Sequence, residues 1–311
     1  MRAVRCNEGQ IHVAEVDAPE GDGVRVSVRS AGICGSDLHM LQLGFPMGHT
    51  LGHEMAGELS DGTPVAIEPL GPCGHCEFCV TGDYNLCVLG PEMIYGVVRD
   101  GGMADEIVVP ERCLVTLPAG VSARDACLVE PMAVGVQGLR KAGLRPGQRV
   151  AVVGGGGLGL CAVATVPNEI EVALEARHDA QRAAGERLGA SLEPEGHYEV
   201  VIDAAGSESS LARAVELCRP GGTLVMIATY WQPVQMPGFE MCSKEVTVVT
   251  SLMYGRPGIA RDVDVAASML GRRPEIPEAI ISHRLPLDAA AEAFEIASNR
   301  SAGALKVVVE P

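Results

Sequence analysis

Four cysteines close together in the sequence constrain this chain more than any other feature. They fall in the string CGHCEFCVTGDYNLC with the spacing C-x2-C-x2-C-x7-C, and they are Cys73, Cys76, Cys79 and Cys87. Four thiolates on one short, glycine-containing loop can surround a single Zn²⁺ tetrahedrally. Because a filled tetrahedron leaves no position for a substrate, the spacing predicts a structural zinc site in a small lobe over residues 73–87.

Charge and cysteine usage exclude several classes of protein. The formal net charge is −16, from 24 basic and 40 acidic residues, which argues against nucleic acid or anionic lipid as a partner. Eleven cysteines in 311 residues make an odd count in a chain too long to need a disulfide framework. The first residues, MRAVRCNEGQ, lack the apolar core expected of a signal peptide, and no apolar run of about 18 residues occurs in the sequence. We therefore expect a chain of the reducing cytoplasm with no membrane partner.

A glycine-rich loop follows a predicted buried strand at 150–153. The string RVAVVGGGGLGLCAVA contains G-x-G-x-x-G, and a helical pattern begins directly after it. A strand, this loop and a helix in that order are the context required for binding a dinucleotide, with the pyrophosphate on the helix N-terminus. The loop residues predicted to contact the cofactor are Gly154, Gly156, Gly157, Leu158 and Gly159.

Further strands and helices alternate after the loop, which predicts a parallel, doubly wound Rossmann sheet in an α/β protein. The turn after the strand at 198–206 contains Ala205, where a nicotinamide or ribose would lie. The predicted strands are 171–176, 198–206, 222–230 and 245–255, and the predicted helices are 179–190 and 209–222, the second ending at Pro-Gly-Gly.

The end of the second strand bears on the choice between NAD and NADP. An acidic residue there binds the adenosine ribose hydroxyls of NAD, whereas a small residue followed by arginine accommodates the 2′-phosphate of NADP. Counting back from the end of the next helix places Ala176 at this position, followed by Arg177 and His178, which favours NADP. A strand that ends one residue earlier would place Glu175 there and favour NAD.

The N-terminal part contains short β segments and three further motifs. These are GICGSDLHM, GHTLGHEMAGEL and CLVEPMAVGVQGL, and their chemically active side chains are Cys34, Ser36, Asp37, His39, His53, Glu54 and Glu130. Taken with the four-cysteine lobe, the glycine loop, DAAG and the closing LKVVV, the chain resembles the zinc-dependent medium-chain alcohol dehydrogenases, in their sorbitol and polyol branch. The resemblance implies a mainly-β, GroES-like catalytic domain over 1–131 and 252–311, and a Rossmann domain over 132–251.

The resemblance also implies a second, catalytic zinc, so that each chain would hold two. Cys34 and His53 would be ligands, together with Glu54, Glu130 or both, and a water. A carboxylate in place of a second thiolate keeps the formal charge of the ligand set, but it is a harder donor and leaves zinc more Lewis acidic. Which of the two glutamates contacts the metal stays open at this point.

The same resemblance implies how an alcohol would be oxidised. Zinc would lower the pKa of the substrate hydroxyl, Ser36 would take its proton and pass it through a ribose hydroxyl to His39, and hydride would go to the nicotinamide. Asp37 would support His53, and Lys306 would contact the pyrophosphate. The partner is a small alcohol or carbonyl compound, and a homodimer or homotetramer would form through segment 245–255.

Two alternatives to a zinc-dependent dehydrogenase remain open from the sequence. The first is a quinone or enoyl reductase on the same fold that uses no zinc, but such relatives lack the GHE and four-cysteine motifs. The second is a redox sensor that binds zinc and nucleotide without turnover, although the serine and histidine of the proton relay are both present.

Overall fold

The structure is a computed structural model that describes residues 1–45 and 47–311 of the chain. Runs rich in valine, isoleucine and alanine form its strands, as their β-branched and apolar side chains favour a half-buried pleated surface. The strands are β1 (Arg2–Asn7), β2 (Gln10–Glu15), β3 (Val24–Gly32), β4 (Glu54–Glu58), β5 (Pro64–Ile67), β6 (Glu106–Val109), β7 (Leu114–Thr116), β8 (Val150–Val153), β9 (Val172–Glu175), β10 (Ser191–Leu192), β11 (Tyr198–Asp203), β12 (Cys218–Met226), β13 (Thr247–Thr250), β14 (Ile281–Pro286) and β15 (Lys306–Glu310).

The helices connect these strands or cover their sheets. They are α1 (Gly35–Gln42), α2 (Glu77–Thr81), α3 (Val129–Lys141), α4 (Gly157–Thr165), α5 (Asp179–Arg187), α6 (Glu208–Leu217), α7 (Gly238–Lys244), α8 (Asp262–Arg272), α9 (Glu275–Ile280) and α10 (Ala290–Ser298). In the described part of the chain, none of them has both the length and the apolar character that crossing a bilayer requires.

The chain divides into two compact units. The first unit combines Met1–Glu130 with Gly255–Pro311, and the second unit is Pro131–Tyr254. The sequence predicts domain boundaries between residues 131 and 132 and between residues 251 and 252, and these boundaries stay a prediction.

The first unit contains a mainly antiparallel sheet with the strand order β14-β15-β3-β4-β5-β7, and β6 also pairs with β3. Only β14 and β15 run parallel within it, and a separate hairpin joins β1 to β2. Apolar side chains from β3, β4, β5 and β6, together with Cys113 just before β7, form its core, a cluster of Val26, Val28, Met55, Val65, Ile67, Ile107, Val109 and Cys113. The register pairs Gly32 at the end of β3 with Glu54 at the start of β4, which places two functional segments side by side.

The second unit contains a six-stranded sheet with the order β10-β9-β8-β11-β12-β13, and every pair in it is parallel. This is the 3-2-1-4-5-6 order of a doubly wound dinucleotide-binding fold. The structure therefore confirms the predicted fold class, a Rossmann sheet together with a mainly-β unit.

Several element boundaries differ from the sequence-based predictions. The strand predicted over 245–255 is confined to β13 (Thr247–Thr250), and the strand predicted over 222–230 is shifted to β12 (Cys218–Met226). The helix expected over 209–222 ends at Leu217, and β12 begins at Cys218. Cys218 is already paired with Tyr198 in the parallel ladder, and a register shift follows before the pairing resumes at Thr223. The chain therefore joins the sheet ahead of the Pro-Gly-Gly turn, because Pro220 has no backbone N–H for a helical hydrogen bond and disfavours helical backbone at Arg219.

Candidate functional site

The four cysteines of the lobe converge on one point. Cys76 precedes α2 and Cys79 lies within it, so the helix brings both thiols to one side, with their sulfur atoms 3.5 Å apart. The Sγ atoms of Cys73 and Cys79 are 3.8 Å apart, and the backbone N–H of Cys73 donates to Cys87 Sγ at 3.3 Å. All four Sγ atoms lie within 4.8 Å of one another, which is the donor set of a closed tetrahedral zinc site.

The thiols of this lobe differ strongly in their readiness to ionise. Backbone N–H groups of Val88 and Cys79 lower the pKa of the Cys76 thiol to about 6. Burial, together with the neighbouring Cys76, raises the pKa of the Cys79 thiol to about 12. Four adjacent thiolates repel one another, so full ionisation of the set requires a cation among them, and a divalent metal that prefers sulfur fits this donor chemistry.

A second cluster lies at the paired ends of β3 and β4. One ligand atom each from Cys34, His53 and Glu54 lies within 4.8 Å of the others. Cys34 follows β3 as the N-cap of α1, and Glu54 opens β4 directly after His53. Because β3 and β4 are antiparallel, their register brings together residues that are far apart in the sequence. One sulfur, one nitrogen and one oxygen donor suit zinc and leave a fourth tetrahedral position for a small molecule.

Asp37 connects two members of this cluster. It is fully buried, one of its carboxylate oxygens accepts the backbone N–H of Cys34 at 2.9 Å, and the other lies 3.4 Å from His53 Nδ1. The Nδ1 atom of His53 has no other partner among the described residues. Histidine ligands of metals are commonly oriented by a carboxylate next to the ring nitrogen that does not bind the metal. Asp37 lies in this position relative to His53, as its predicted supporting role requires.

The surroundings of His53 favour a positive charge. Burial alone lowers the pKa of its imidazole, but the charges of Asp37 and Cys34 outweigh burial and raise the pKa well above its ordinary value. Without an ion, this anionic pocket attracts a proton onto the ring. A divalent cation would satisfy the same field, so the electrostatics of the pocket fit a metal.

Glu54 is held by Lys306, a contact that was not predicted from the sequence. The Lys306 ammonium lies 2.6 Å from both carboxylate oxygens of Glu54 and donates to the carbonyl of Ile33 at 3.2 Å. The Lys306 side chain is 4% exposed and that of Glu54 is 1% exposed. The ammonium is thus shared between two carboxylate oxygens, and the pyrophosphate contact of Lys306 stays a prediction. A lysine within the apolar strand LKVVV was the one available signal of this pairing.

Glu130 lies apart from the cluster. It is buried in the first turn of α3, but it does not belong to the group of donor atoms formed by Cys34, His53 and Glu54 in the part of the chain that the structure describes. Of the two glutamates that the sequence left open, the structure therefore brings only Glu54 to the sulfur and imidazole donors.

Ser36 and His39 lie three residues apart on α1, so their side chains project from the same side of the helix. Ser36 Oγ lies 3.5 Å from His53 Nε2, next to the donor atoms. His39 is only partly buried. Burial and the nearby Arg300 guanidinium lower the pKa of its imidazole, which favours the neutral, proton-accepting ring at neutral pH.

The second unit positions the glycine loop between β8 and α4. Gly154 has φ +109°, which a residue with a side chain rarely adopts. A Cβ on Gly159 would collide with the carbonyl oxygen of Gly154, whereas a Cβ on Gly156 would meet nothing within 4 Å. Gly156 is the N-cap of α4, with Gly157 and Leu158 as its first residues, so the accessible backbone of the loop lies at the helix N-terminus, as phosphate binding requires.

At the end of β9, the carboxylate of Glu175 forms an ion pair and the side chain of Arg177 is exposed. Glu175 closes the strand, and its carboxylate binds Arg213 of α6 at 2.6 Å. Ala176 instead faces the glycine loop, because a Cβ on Gly155 would lie 2.6 Å from the Ala176 Cβ. Arg177 is exposed, and His178 is the N-cap of α5.

The turn after β11 depends on a carboxylate that was not predicted from the sequence. Asp203 is fully buried, and one of its oxygens accepts the backbone N–H of Ala205 at 2.9 Å and that of Gly206 at 3.2 Å. The other oxygen accepts the hydroxyl of Ser210 at 2.9 Å and the hydroxyl of Tyr230. These bonds fix the turn that contains Ala205. The Ala205 Cβ lies close to Gly154, since a Cβ added to Gly154 would be only 2.9 Å from it.

Two family models match this chain. The alcohol dehydrogenase GroES-like domain matches residues 20–119, within the first unit. The zinc-binding dehydrogenase model matches residues 170–270, most of which lie in the second unit.

Individual proteins match over nearly the whole chain. A probable D-xylulose reductase A from Aspergillus niger is 31% identical over 325 aligned residues, which cover 91% of this chain and 88% of that protein. The galactitol-1-phosphate dehydrogenase of Escherichia coli has a TM-score of 0.89 at 27% identity and covers 100% of both chains. A zinc-binding dehydrogenase structure from Sinorhizobium meliloti 1021, bound to NADP, has a TM-score of 0.85 at 28% identity and covers 100% of this chain and 99% of that one.

Proposed function

Because the chain belongs to the zinc-dependent medium-chain alcohol dehydrogenase family, in its polyol dehydrogenase branch, we propose that it exchanges hydride between NADP and a polyol or secondary alcohol. Oxidation of such a substrate gives a ketone or an aldehyde. Both zinc-binding clusters and a dinucleotide-binding loop are part of this proposal.

The carrying observation is the convergence of Cys34, His53 and Glu54, with Ser36 beside them. We assign Cys34, His53 and Glu54 as the direct zinc ligands, and Glu130 as a residue outside the ligand set. When bound, zinc polarises the substrate hydroxyl as a Lewis acid, and the nicotinamide of NADP accepts the hydride. The four-cysteine lobe would hold a second, structural zinc.

The protein's own residues would manage the proton and the geometry. Ser36 Oγ lies next to the ligand cluster and would accept the hydroxyl proton of the substrate. His39, one helical turn further along α1 and only partly buried, would deliver that proton to solvent. Asp37 would keep His53 in the orientation and tautomer that leave the Nε2 atom free to bind.

We propose NADP over NAD because of the residues at the end of β9. Glu175 is bound to Arg213, and the residue that faces the glycine loop is the small Ala176, so no free carboxylate stands where NAD would require one. Arg177 and His178 follow directly, and the exposed guanidinium of Arg177 suits a 2′-phosphate. The loop residues Gly154, Gly156, Gly157, Leu158 and Gly159, with Ala205, would line the rest of the cofactor site.

The proposed substrate class rests on the relatives. The Aspergillus niger relative is named as a reductase of D-xylulose and the Escherichia coli structure as a dehydrogenase of galactitol 1-phosphate, both polyhydroxylated compounds. A polyol offers adjacent hydroxyls to a metal that has one open position. We therefore expect polyols to be oxidised more efficiently than unbranched primary alcohols.

The proposal also covers the roles of the two units, the association of two copies and the cellular compartment. The first unit would be the catalytic domain and the second unit the cofactor domain. Two copies would associate through β13, the edge strand of the parallel sheet, where Val248 is exposed. All eleven cysteines are free thiols, which suits the reducing cytoplasm.

The test is a substrate panel of polyols, secondary alcohols and primary alcohols with NADP and NAD in parallel, followed at 340 nm, together with zinc analysis. Two zincs per chain and NADP-dependent polyol oxidation are expected. A redox sensor without turnover would bind nucleotide but leave the absorbance unchanged with every substrate. Arg177→Ala should raise KM for NADP at least about tenfold with little change for NAD, since it removes a charge-assisted phosphate contact. An equal change for both cofactors would contradict the assignment of Arg177.

A further inference from the structure

Asp203 joins two segments at the carboxyl-terminal edge of the parallel sheet. It closes β11, which is paired in parallel with β12, so the chain leaves the sheet at two neighbouring points. The carboxylate of Asp203 accepts the backbone N–H groups of Ala205 and Gly206 in the turn after β11. Its backbone carbonyl accepts those of Ile227 at 3.1 Å and Ala228 at 3.3 Å in the segment after β12. One residue therefore holds both segments.

Tyr230 adds a side-chain link between these two segments. Its ring packs against a core cluster contributed by β8, β11, β12 and α6, and its hydroxyl donates to the carboxylate of Asp203. Burial first, and the hydrogen bond to Asp203 second, raise the pKa of the Tyr230 hydroxyl, so it keeps its proton and stays a donor at neutral pH. The segments also approach each other directly, since a Cβ on Gly206 would lie 2.9 Å from the carbonyl oxygen of Thr229.

The carboxylate of Asp203 has no acceptor capacity to spare. It is fully buried, and its two oxygens accept two backbone N–H groups and the hydroxyls of Ser210 and Tyr230. An ionised carboxylate offers about four acceptor sites, so these donors fill them. Removing the Tyr230 hydroxyl would leave a buried acceptor site empty and loosen the segment after β12 from the turn after β11.

The strand order places both segments on one side of the glycine loop. The loop follows β8, which lies between β9 and β11 in the sheet, and β12 lies beyond β11. In a doubly wound fold the pyrophosphate lies at this loop and the adenosine lies over the end of the next strand, here β9. The nicotinamide and its ribose then extend the opposite way, over the ends of β11 and β12.

From these contacts we infer that Tyr230 is a positioning residue for the nicotinamide half of the cofactor. By tethering the segment after β12 to Asp203, it fixes the surface that receives the nicotinamide and its ribose, and it acts on the cofactor through that surface. The adenosine half, over the end of β9, does not depend on it. This inference rests on the proposed function, because it requires a dinucleotide at the glycine loop.

The test compares the whole cofactor with its adenosine half. Isothermal titration calorimetry on the full chain measures the Kd of NADP and of adenosine 2′,5′-bisphosphate, which lacks the nicotinamide and its ribose. Tyr230→Phe keeps the ring and removes only the hydroxyl, so it should raise the Kd of NADP at least about fivefold, while the Kd of adenosine 2′,5′-bisphosphate changes less than about twofold.

Tyr198→Phe is the matched control. Tyr198 is also a buried tyrosine of β11, but it stands at the start of the strand, at the opposite edge of the sheet. Loss of its hydroxyl should leave both Kd values unchanged.

A second measurement uses the wild type alone and does not depend on how well a variant folds. In hydrogen–deuterium exchange, NADP should protect the peptides that contain residues 204–206 and 227–230 together, because the two segments respond as one. Adenosine 2′,5′-bisphosphate should protect neither of them.

Three results would overturn the inference. Equal weakening of NADP and adenosine 2′,5′-bisphosphate in Tyr230→Phe would show a general structural role, and an unchanged Kd of NADP would show that the hydroxyl positions nothing. Protection of one segment without the other would show that they do not act together. Wild-type protein that binds neither NADP nor NAD would instead refute the proposed function. If NAD binds in place of NADP, the same comparison with NAD and adenosine monophosphate tests Tyr230.

Discussion

The two clusters of candidate metal ligands are built in opposite ways. The four cysteines of the lobe lie within 15 residues of sequence, and a short helix with its flanking turns suffices to bring their sulfur atoms together. Cys34, His53 and Glu54 meet only because β3 and β4 are paired in one register, and Lys306 reaches them from β15 at the other end of the chain. The first cluster is local and complete, whereas the second is assembled by the sheet and has an open position.

The way in which each cluster is assembled matches the chemistry that it can support. A local, all-thiolate site has no free position for a substrate, which suits a structural ion. The sheet-assembled site mixes three kinds of donor, has Ser36 beside it and has a buried ammonium against one of its carboxylates. Side chains from separate elements are needed because reactivity requires different chemical groups at fixed mutual positions.

The largest effect is expected from His53→Ala, which breaks the second cluster alone. Zinc content should fall from two to one per chain, and kcat/KM should fall at least about 10³-fold, because the Lewis acid that polarises the substrate is lost. Metal analysis and the assay at 340 nm measure both quantities. A variant that kept two zincs, or that still oxidised polyols at the wild-type rate, would contradict the assignment of His53.

Cys79→Ser should break the first cluster alone. Losing a metal present at about 1,000 times its dissociation constant costs about 4 kcal/mol, which lowers Tm by about 8 to 16 °C for a cooperative unit of about 150 to 250 residues, the size range of the first unit. Differential scanning calorimetry measures the shift, and activity well below the new Tm should survive. The matched control is Cys242→Ser, an exposed thiol outside both clusters, which should leave Tm and zinc content unchanged.

A comparison of Glu54→Gln with Glu130→Gln decides which glutamate contacts the metal. Glu54→Gln should weaken zinc binding about 10- to 100-fold, because an amide oxygen is a poorer donor than a carboxylate and Lys306 loses its partner. Glu130→Gln should change affinity much less, as Glu130 lies outside the donor group. Chelator titration of the second zinc measures both variants, and the reverse order would identify Glu130 as the ligand.

The smallest effect is a shift in the pH profile of alcohol oxidation. Burial first, and the charge of Arg300 second, lower the pKa of His39, so the ring stays neutral and able to accept a proton down to a lower pH. Activity should fall as pH drops through this lowered pKa. Arg300→Met removes a positive charge and should move the acidic limb of kcat upward by less than about one pH unit. His39→Asn is the control, since it should abolish that limb, and a limb that persisted would belong to another group.

Part of the molecule could be predicted from the sequence because its signals are local. The glycine loop, the alternating strands and helices and the four-cysteine spacing each depend on neighbours in the chain, and the parallel sheet of the second unit follows them closely. The predicted end of the helix near Pro220 was less accurate, because pairing of Cys218 with Tyr198 decides where the strand begins. The role of Asp203, which fixes the turn around Ala205, depends on Tyr230 and Ser210 from other elements.

The sequence by itself determined the family, the fold class and the types of side chain that bind zinc and nucleotide, since these depend on residue identity and short spacing. The tertiary structure alone decided which glutamate joins Cys34 and His53, and it placed Lys306 on that glutamate. The physical reason is that a β-ladder register and the packing of a distant strand fix contacts between residues far apart in the chain. A hydrophobic pattern marks such a strand as buried but does not show which charged side chain it will pair with.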